Sequence, residues 1–420
     1  MTRALRRLAP DARLLFATRF VRLFAYGAVS VVLVFYLVAL GFDESRTGVL
    51  LTSTLAGDTV VSLFLTTRAD RIGRRRMLIV GALLMAAAGV AFAFTRDAWL
   101  LILAGTIGVI SPGGGEVGPF LPIEQAALSH VVSDQNRTEV FAWYTLAGSV
   151  ATAFGALAGG VLTQALQQHR SMAPVESYRA VLLLYAGLGV LLAVLFMRLS
   201  AEAEAATRGE AVAFRATLAG LSGVEHSQRV VFKLSGLFAL DSFGGGFVIQ
   251  SFAAYWFYLR FGASPETLGG VFFAANVLAG ISALLASRLA RRLGLLNTMV
   301  VTHLPSNILL ILVPLMPSLP LAVFVLLVRF SISQMDVPTR QSYVMAVVRP
   351  DERSAAAGIT GVARTMGAAI SPLFAGLLFA RPSLVNVPFF IAGSLKIAYD
   401  LLLYREFSAV RPPEERDSTG

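Results

Sequence analysis

Polar and apolar positions are sharply segregated along this chain. Apolar runs of about 20 residues or more alternate with short arginine-rich blocks, and a helix needs about 20 apolar residues to cross a bilayer. Twelve runs stand out, at about 14–40, 46–67, 77–95, 99–128, 140–166, 178–199, 231–259, 266–289, 298–316, 319–346, 355–380 and 384–404. They are too long, and alternate too little, to be strands of a membrane barrel. Each is therefore predicted to be a helix, which satisfies its own backbone in lipid. The expected fold is an all-α membrane protein of twelve transmembrane helices. The first run is too long for a signal-peptide core and is expected to be retained as the first helix.

The longest polar interval divides the runs six and six. The expected organisation is an N-terminal bundle over 1–199, a central loop over 200–229 and a C-terminal bundle with a short tail over 230–420. The halves resemble each other. Gly41, Gly48 and Gly73 recur as Gly262, Gly269 and Gly294 at a constant offset of 221. Pro122, Gln125, Val131, Val132, Arg137 and Gly160 recur as Pro338, Gln341, Val347, Val348, Arg353 and Gly376 at an offset of 216. A fixed register that includes proline, glutamine and arginine points to duplication of a six-helix unit. Two parallel halves related by an axis along the membrane normal are a recurring transporter architecture.

Composition supports this and removes other classes. Hydrophobic residues make up 56% of the chain and charged residues 14%, against about 25% charged in soluble domains. With no cysteine, disulfides, thiol catalysis and cysteine-held metal centres are excluded. His130, His169, His226 and His303 show no ligand spacing, so no metal site is expected. No Gly-x-x-x-x-Gly-Lys-Ser/Thr phosphate loop occurs, which argues against an ATP-driven pump. The net charge of +10 is assigned to arginines at helix ends rather than to nucleic-acid binding. With the N-terminus inside, Arg3, Arg6, Arg7, Arg13, Arg68, Arg71, Arg74, Arg75 and Arg76 fall on one side, with Arg288, Arg291, Arg292, Arg349, Arg353, Arg405 and Arg411. The opposite loops hold Arg46, Arg96, Arg170, Arg260 and Arg381. That bias places both termini in the cytoplasm. Lys233 and Lys396 are the two lysines, a composition that suggests a bacterial cytoplasmic (inner) membrane.

Between the second and third runs lies Thr66-Thr67-Arg68-Ala69-Asp70-Arg71-Ile72-Gly73-Arg74-Arg75-Arg76. From Asp70 onward this resembles the cytoplasmic signature of the major facilitator superfamily, Asp-Arg-x-Gly-Arg-Arg/Lys, with Thr66 where the family usually has glycine. The second half keeps a degraded copy at 287–294, with Arg291 in the place of Asp70. The resemblance covers essentially the whole chain. It implies a secondary transporter working by alternating access, with Asp70 latching the halves against the start of span eleven, near Ser354. The fifth-span glycines partly resemble the family's antiporter signature but lack its proline. They are read instead as close-packing positions.

Ionisable groups at membrane depth are costly and usually face a cavity or pair. Arg19, Arg22 and Tyr26 share one face of span one, with Arg19 expected to snorkel to the interface. Span two holds Asp58, span four Glu116 and Glu124 among glycines and prolines, and span seven Asp241 before Gly244–Gly246. Span ten carries the stripe Arg329, Ser333, Asp336, Arg340, and span eleven Arg364. Spans one, four, seven and ten line the central cavity in the superfamily. The candidate path and coupling residues are accordingly Arg22, Tyr26, Asp58, Glu116, Asp241, Arg329, Asp336 and Arg364. Glycine and proline in spans four and seven would allow broken helices there. Asp70, Arg71, Gly73, Arg74, Glu124, Arg137, Arg340 and Arg353 are candidates for the cytoplasmic gate and motif. Glu124 and Arg340 occupy equivalent repeat positions and could pair across the halves, or Arg340 could pair with Asp336 at i, i+4.

The expected function is proton-driven efflux of small organic or amphipathic compounds by a monomer in a lipid bilayer, with no cofactor and no catalytic residues. Glu116 or Asp241 is the expected proton carrier. Proton-coupled uptake of an anionic metabolite is the second reading, and a transporter-like receptor the third.

Overall fold

A computed structural model describes residues 9–132, 134–200, 224, 226–349 and 352–410. Its regular structure is helical, with no strand among the described residues. The first half contains α1 (Pro10–Ala39), α2 (Glu44–Ile72), α3 (Arg74–Phe94), α4 (Ala98–Ile107), α5 (Phe120–Val131), α6 (Asp134–His169) and α7 (Pro174–Phe196). The second contains α8 (Gln228–Gly246), α9 (Gln250–Phe261), α10 (Pro265–Leu293), α11 (Leu295–Leu312), α12 (Leu319–Ser333), α13 (Asp336–Val347), α14 (Arg353–Phe379) and α15 (Val387–Phe407). Among the described residues, eleven stretches are long and apolar enough to span a membrane, and α4 is a shorter apolar helix. The twelve expected spans are thus present, with spans four, seven and ten each divided into two helices.

The helix ends follow local chemistry. Pro10 opens α1, where its missing N–H costs nothing. Asp43 caps α2 by accepting the Arg46 N–H at 2.7 Å, and Asp97 caps α4 by accepting that of Leu100 at 2.9 Å. Large apolar side chains such as Val60, Phe94, Trp99, Phe324 and Leu401 are exposed, as expected of surfaces that meet lipid.

The internal repeat is visible in the backbone. Gly41 and Gly262 both adopt positive φ, at 95° and 66°, and so do Gly73 and Gly294, at 116° and 84°. These are turns that side-chain-bearing residues rarely adopt. The breaks in spans four and ten also correspond. α5 and α13 are both twelve residues long, with Pro122 and Pro338 as their third residues. A proline ring clashes with the carbonyl four residues back, which for Pro338 is that of Gln334. A continuous Arg329–Arg340 stripe, expected on span ten, is therefore corrected: the helix stops at Ser333 and restarts at Asp336.

By packing, the chain divides into two compact units. The first comprises 1–207 with 249–277, and the second 208–248 with 278–420. In the first unit α1 is central, against α6, α7 and α9, while α3 packs on α7 and α2 on α4. The α1–α6 seam is set by glycine: a Cβ at Gly27 would stand 2.1 Å from the Thr152 carbonyl oxygen, and one at Gly155 2.0 Å from that of Phe24. In the second unit α8 packs between α14 and α15, and α11 against α12, α13 and α15. An apolar cluster including Leu234, Phe238, Tyr343, Tyr399 and Phe407 fills its interior.

Candidate substrate path and buried charge networks

In the first unit, α1 presents Thr18, Arg19, Arg22 and Tyr26 inward. Arg22 is fully buried. Its Nη1 lies 2.8 Å from Glu124 Oε2, and its Nη2 3.1 Å from Glu116 Oε2. Arg19 pairs with the other oxygen of Glu116. The Glu124 carboxylate also accepts the Thr18 hydroxyl at 3.1 Å and the Tyr144 hydroxyl. Arg19 does not snorkel as expected. It is 5% exposed, held by Glu116 and lying over the Tyr144 ring at 4.4 Å. Glu116 is the more open carboxylate of the two, with 21% of its side chain exposed against none for Glu124.

The interruption of span four, 108–119, places irregular backbone at membrane depth. Such backbone is tolerated only where its polar groups find partners. They do. The Val109 carbonyl accepts the Tyr185 hydroxyl, that of Pro112 the Ser251 hydroxyl, and that of Gly114 the Thr152 hydroxyl at 3.2 Å. The Gly115 carbonyl accepts Ser111 Oγ at 2.8 Å, and that of Val117 the Tyr26 hydroxyl at 3.2 Å. The Gly118 N–H donates to Asp58 Oδ1 at 2.6 Å. Asp58 also accepts Ser62 Oγ at 3.4 Å. It has no basic side chain within ion-pair distance among the described residues, unlike Glu116 and Glu124.

In the second unit the centre is Asp241 on α8. Lys396 Nζ stands 2.6 Å from its Oδ1, and Arg340 Nη1 3.0 Å from its Oδ2. His303 Nε2 lies 3.6 Å from Oδ1. His303 Nδ1 faces Asp400 Oδ1 at 2.8 Å, and Asn307 Nδ2 donates to Asp400 Oδ2 at 2.9 Å. Arg340 also meets Asp336 at 3.5 Å, four residues apart on the start of α13. Both ends of the expected Glu124–Arg340 pair are thus engaged within their own units. Donor atoms of Asp241, His303 and Asp336 come within 4.8 Å of one another. Lys396 and Arg340 already occupy both oxygens of Asp241, so a divalent ion there would meet two fixed cations.

Arg329 on α12 and Arg364 on α14 differ from the other buried bases. Both are half-buried, and neither has an ion-pair partner among the described residues. The Nε of each is buried without an acceptor, as are those of Arg19, Arg22 and Arg340, so the missing ion pair is what sets these two apart. Both lie within electrostatic reach of Asp241 and Asp336.

Of the motif residues, Gly73 forms the turn between α2 and α3, its N–H bonded to the Ala69 carbonyl at 2.9 Å. Arg74 is buried at the start of α3. Arg353 Nε donates to the Met345 carbonyl at 2.8 Å. The side chains of Asp70, Arg71, Arg137 and Ser354 lie outside the described residues.

Sequence reasoning missed His303, Asn307, Lys396 and Asp400. A signal was present: each pair sits four residues apart within an apolar run, and so on one helix face. Tyr144, on span five, carried no such signal.

A family model described as Major Facilitator Superfamily matches residues 15–335. An uncharacterized membrane protein of Saccharomyces cerevisiae is 31% identical over 424 residues, covering 95% of this chain and 94% of that protein. A Na(+), Li(+), K(+)/H(+) antiporter of Planococcus maritimus is 29% identical over 121 residues, 29% of this chain and 28% of that protein. Among solved structures, a mutant of the nucleoside transporter NupG superposes with a TM-score of 0.74 at 14% identity, over 94% of this chain and 100% of that one. A bacterial homolog of the human lysosomal transporter Spinster, inward-facing and occupied, gives 0.73 at 16% identity, over 95% and 97%. At these identities the structural likeness is one of fold.

Proposed function

The chain belongs to the major facilitator superfamily of membrane transporters, and we propose from this premise that it is a proton-coupled secondary carrier exporting small organic compounds. The observation that carries the coupling is the state of the buried carboxylates. Protonating Glu116, Glu124 or Asp241 would leave a buried arginine or lysine uncompensated, which is costly. Protonating Asp58 breaks no ion pair. It changes instead the acceptor that holds Gly118, and hence the broken segment of span four.

Asp58 therefore takes the coupling role in place of Glu116 and Asp241. Those two serve as fixed members of their networks. A proton arriving at Asp58 weakens the grip on Gly118 and couples charge to the shape of the 108–119 segment. The outward direction draws support from the match to a cation/H(+) antiporter over 121 residues, because a proton entering by exchange drives cargo out. The arginine bias supports cytoplasmic termini, and the scarcity of lysine a bacterial cytoplasmic membrane. One chain carries both halves of the repeat, so a monomer suffices.

The test is reconstitution into liposomes with an imposed pH gradient and a panel of small organic compounds. Wild-type protein is expected to move at least one compound against its gradient and to collapse with a protonophore. Asp58→Asn is expected to bind and exchange that compound while losing gradient-driven accumulation. Undiminished, pH-driven accumulation by Asp58→Asn would overturn the assignment.

A further inference from the structure

The second unit holds more positive than negative charge at membrane depth. Among the described residues at this depth, three carboxylates, Asp241, Asp336 and Asp400, share their surroundings with four permanent cations, Lys396, Arg340, Arg329 and Arg364. His303 adds a further positive charge whenever it is protonated. The carboxylates are already committed. Asp241 is held by Lys396 and Arg340, Asp336 by Arg340, and Asp400 by His303 and Asn307. Tyr399, on the same helix as Lys396, adds a neutral hydroxyl whose oxygen is buried without a partner.

The surplus rests on Arg329 and Arg364. Among the described residues neither pairs with a carboxylate, unlike Arg19, Arg22 and Arg340, and each has its Nε buried without an acceptor, as those three also do. Ser333 lies one helical turn beyond Arg329 on α12 and shares its face. It is 5% exposed, and its hydroxyl too is buried without a partner. The Arg329 guanidinium carbon lies 5.0 Å from the Phe330 ring centroid. Buried charge and buried donors without partners are costly. A protein that retains two such arginines within electrostatic reach of the same two carboxylates, Asp241 and Asp336, and a serine on the face of one of them, keeps them for something that arrives from outside.

We infer that Arg329, Arg364 and Ser333 form the binding site for an anionic head group, a carboxylate or a phosphate monoester, on the transported compound. The guanidinium fork matches both groups with paired hydrogen bonds. The head group neutralises the surplus charge, and the serine hydroxyl donates to a remaining oxygen. The cargo is thus an organic anion. Its place in the transport cycle rests on the carrier reading above, but its binding does not. Loss of anion binding and loss of proton drive in Asp58→Asn are separate results.

The experiment uses the full chain in phosphatidylcholine nanodiscs, with benzoate, citrate and phenyl phosphate as probes and benzamide as the neutral control. The anions are expected to raise the melting temperature in a saturable way, and benzamide to leave it unchanged. Binding should weaken at least tenfold in Arg329→Gln and in Arg364→Gln and vanish in the double variant. Arg329→Lys should retain part of it. Without ligand, each glutamine variant should melt at or above the wild-type temperature, because a surplus charge has been removed. Arginines that merely held the fold would give lower melting temperatures. No response to any of the three anions, or an equal response to benzamide, overturns the inference. So does displacement of the probes by phosphatidylglycerol at a few per cent of the nanodisc lipid, because the site then belongs to an anionic lipid head group.

Discussion

Asp58 on span two accepts the backbone N–H of Gly118 at 2.6 Å, across sixty residues of sequence. A side chain in one helix thereby holds the only backbone donor of the span-four interruption for which a side-chain acceptor is seen among the described residues. Asparagine can keep this bond through its carbonyl oxygen, whereas alanine cannot. We expect Asp58→Asn to melt near the wild-type temperature and Asp58→Ala to lose about 1–3 kcal/mol, the cost of stranding a buried donor. Thermal unfolding of the two in detergent checks the difference. Equal stability would mean that the bond does not anchor the segment.

Arg22 and Glu124 are both fully buried and 2.8 Å apart. Removing Arg22 leaves Glu124 with neutral donors, and removing Glu124 leaves Arg19 and Arg22 to share Glu116. Either single change strands one buried charge at a cost of about 3–5 kcal/mol, while removing both together is far milder. We expect Arg22→Gln and Glu124→Gln each to express poorly and unfold early, and Arg22→Gln/Glu124→Gln to recover more than half of the loss. A double-mutant cycle on denaturant unfolding measures it. Simple additivity would show that the two charges do not depend on each other.

Much of this architecture is legible in the sequence because lipid imposes few solutions. Runs of apolar residues must be helices, and duplicated glycines at Gly41/Gly262 and Gly73/Gly294 mark turns that need positive φ. The break in span four could be anticipated from its glycines and prolines. The break in span ten could not, because Pro338 was read as a repeat marker and not as a ring colliding with the carbonyl at 334. Charged residues could be placed at membrane depth, but not paired. Lys396 and Asp400 meet Asp241 and His303 from other helices, and helix rotation is set by packing that one sequence does not reveal. Arg19 was misjudged for the same reason: its nearness to a helix end suggested the interface, while its rotation points it at Glu116.

The α1–α6 seam gives a test of packing alone. A Cβ at Gly155 would stand 2.0 Å from the Phe24 carbonyl oxygen and 2.8 Å from its carbon. These are rigid backbone atoms, so the helices themselves must separate. We expect Gly155→Ala to cost about 1–3 kcal/mol, as overpacking does, and to lower the melting temperature more than Gly187→Ala, where a Cβ meets nothing within 4 Å. Indistinguishable melting of the two would show that the seam yields freely.

The second segment of span seven, α9, is docked by hydrogen bonds on other elements of the first unit. Ser251 Oγ donates to the Ser30 carbonyl at 2.8 Å and to that of Pro112, while Tyr255 OH donates to Glu44 Oε1 at 2.6 Å. The bonds are individually modest, about 0.5–1.5 kcal/mol each, because Ser30 and Pro112 keep other donors or helical partners. Their loss should therefore appear as local opening and not as global unfolding. We expect Ser251→Ala/Tyr255→Phe to accelerate amide exchange across Gln250–Phe261 several-fold while leaving Gln228–Gly246 unchanged. Exchange by mass spectrometry reads both segments in one experiment. If the two halves of span seven accelerate together, the break at 247–249 does not uncouple them, and α9 is not held by these contacts.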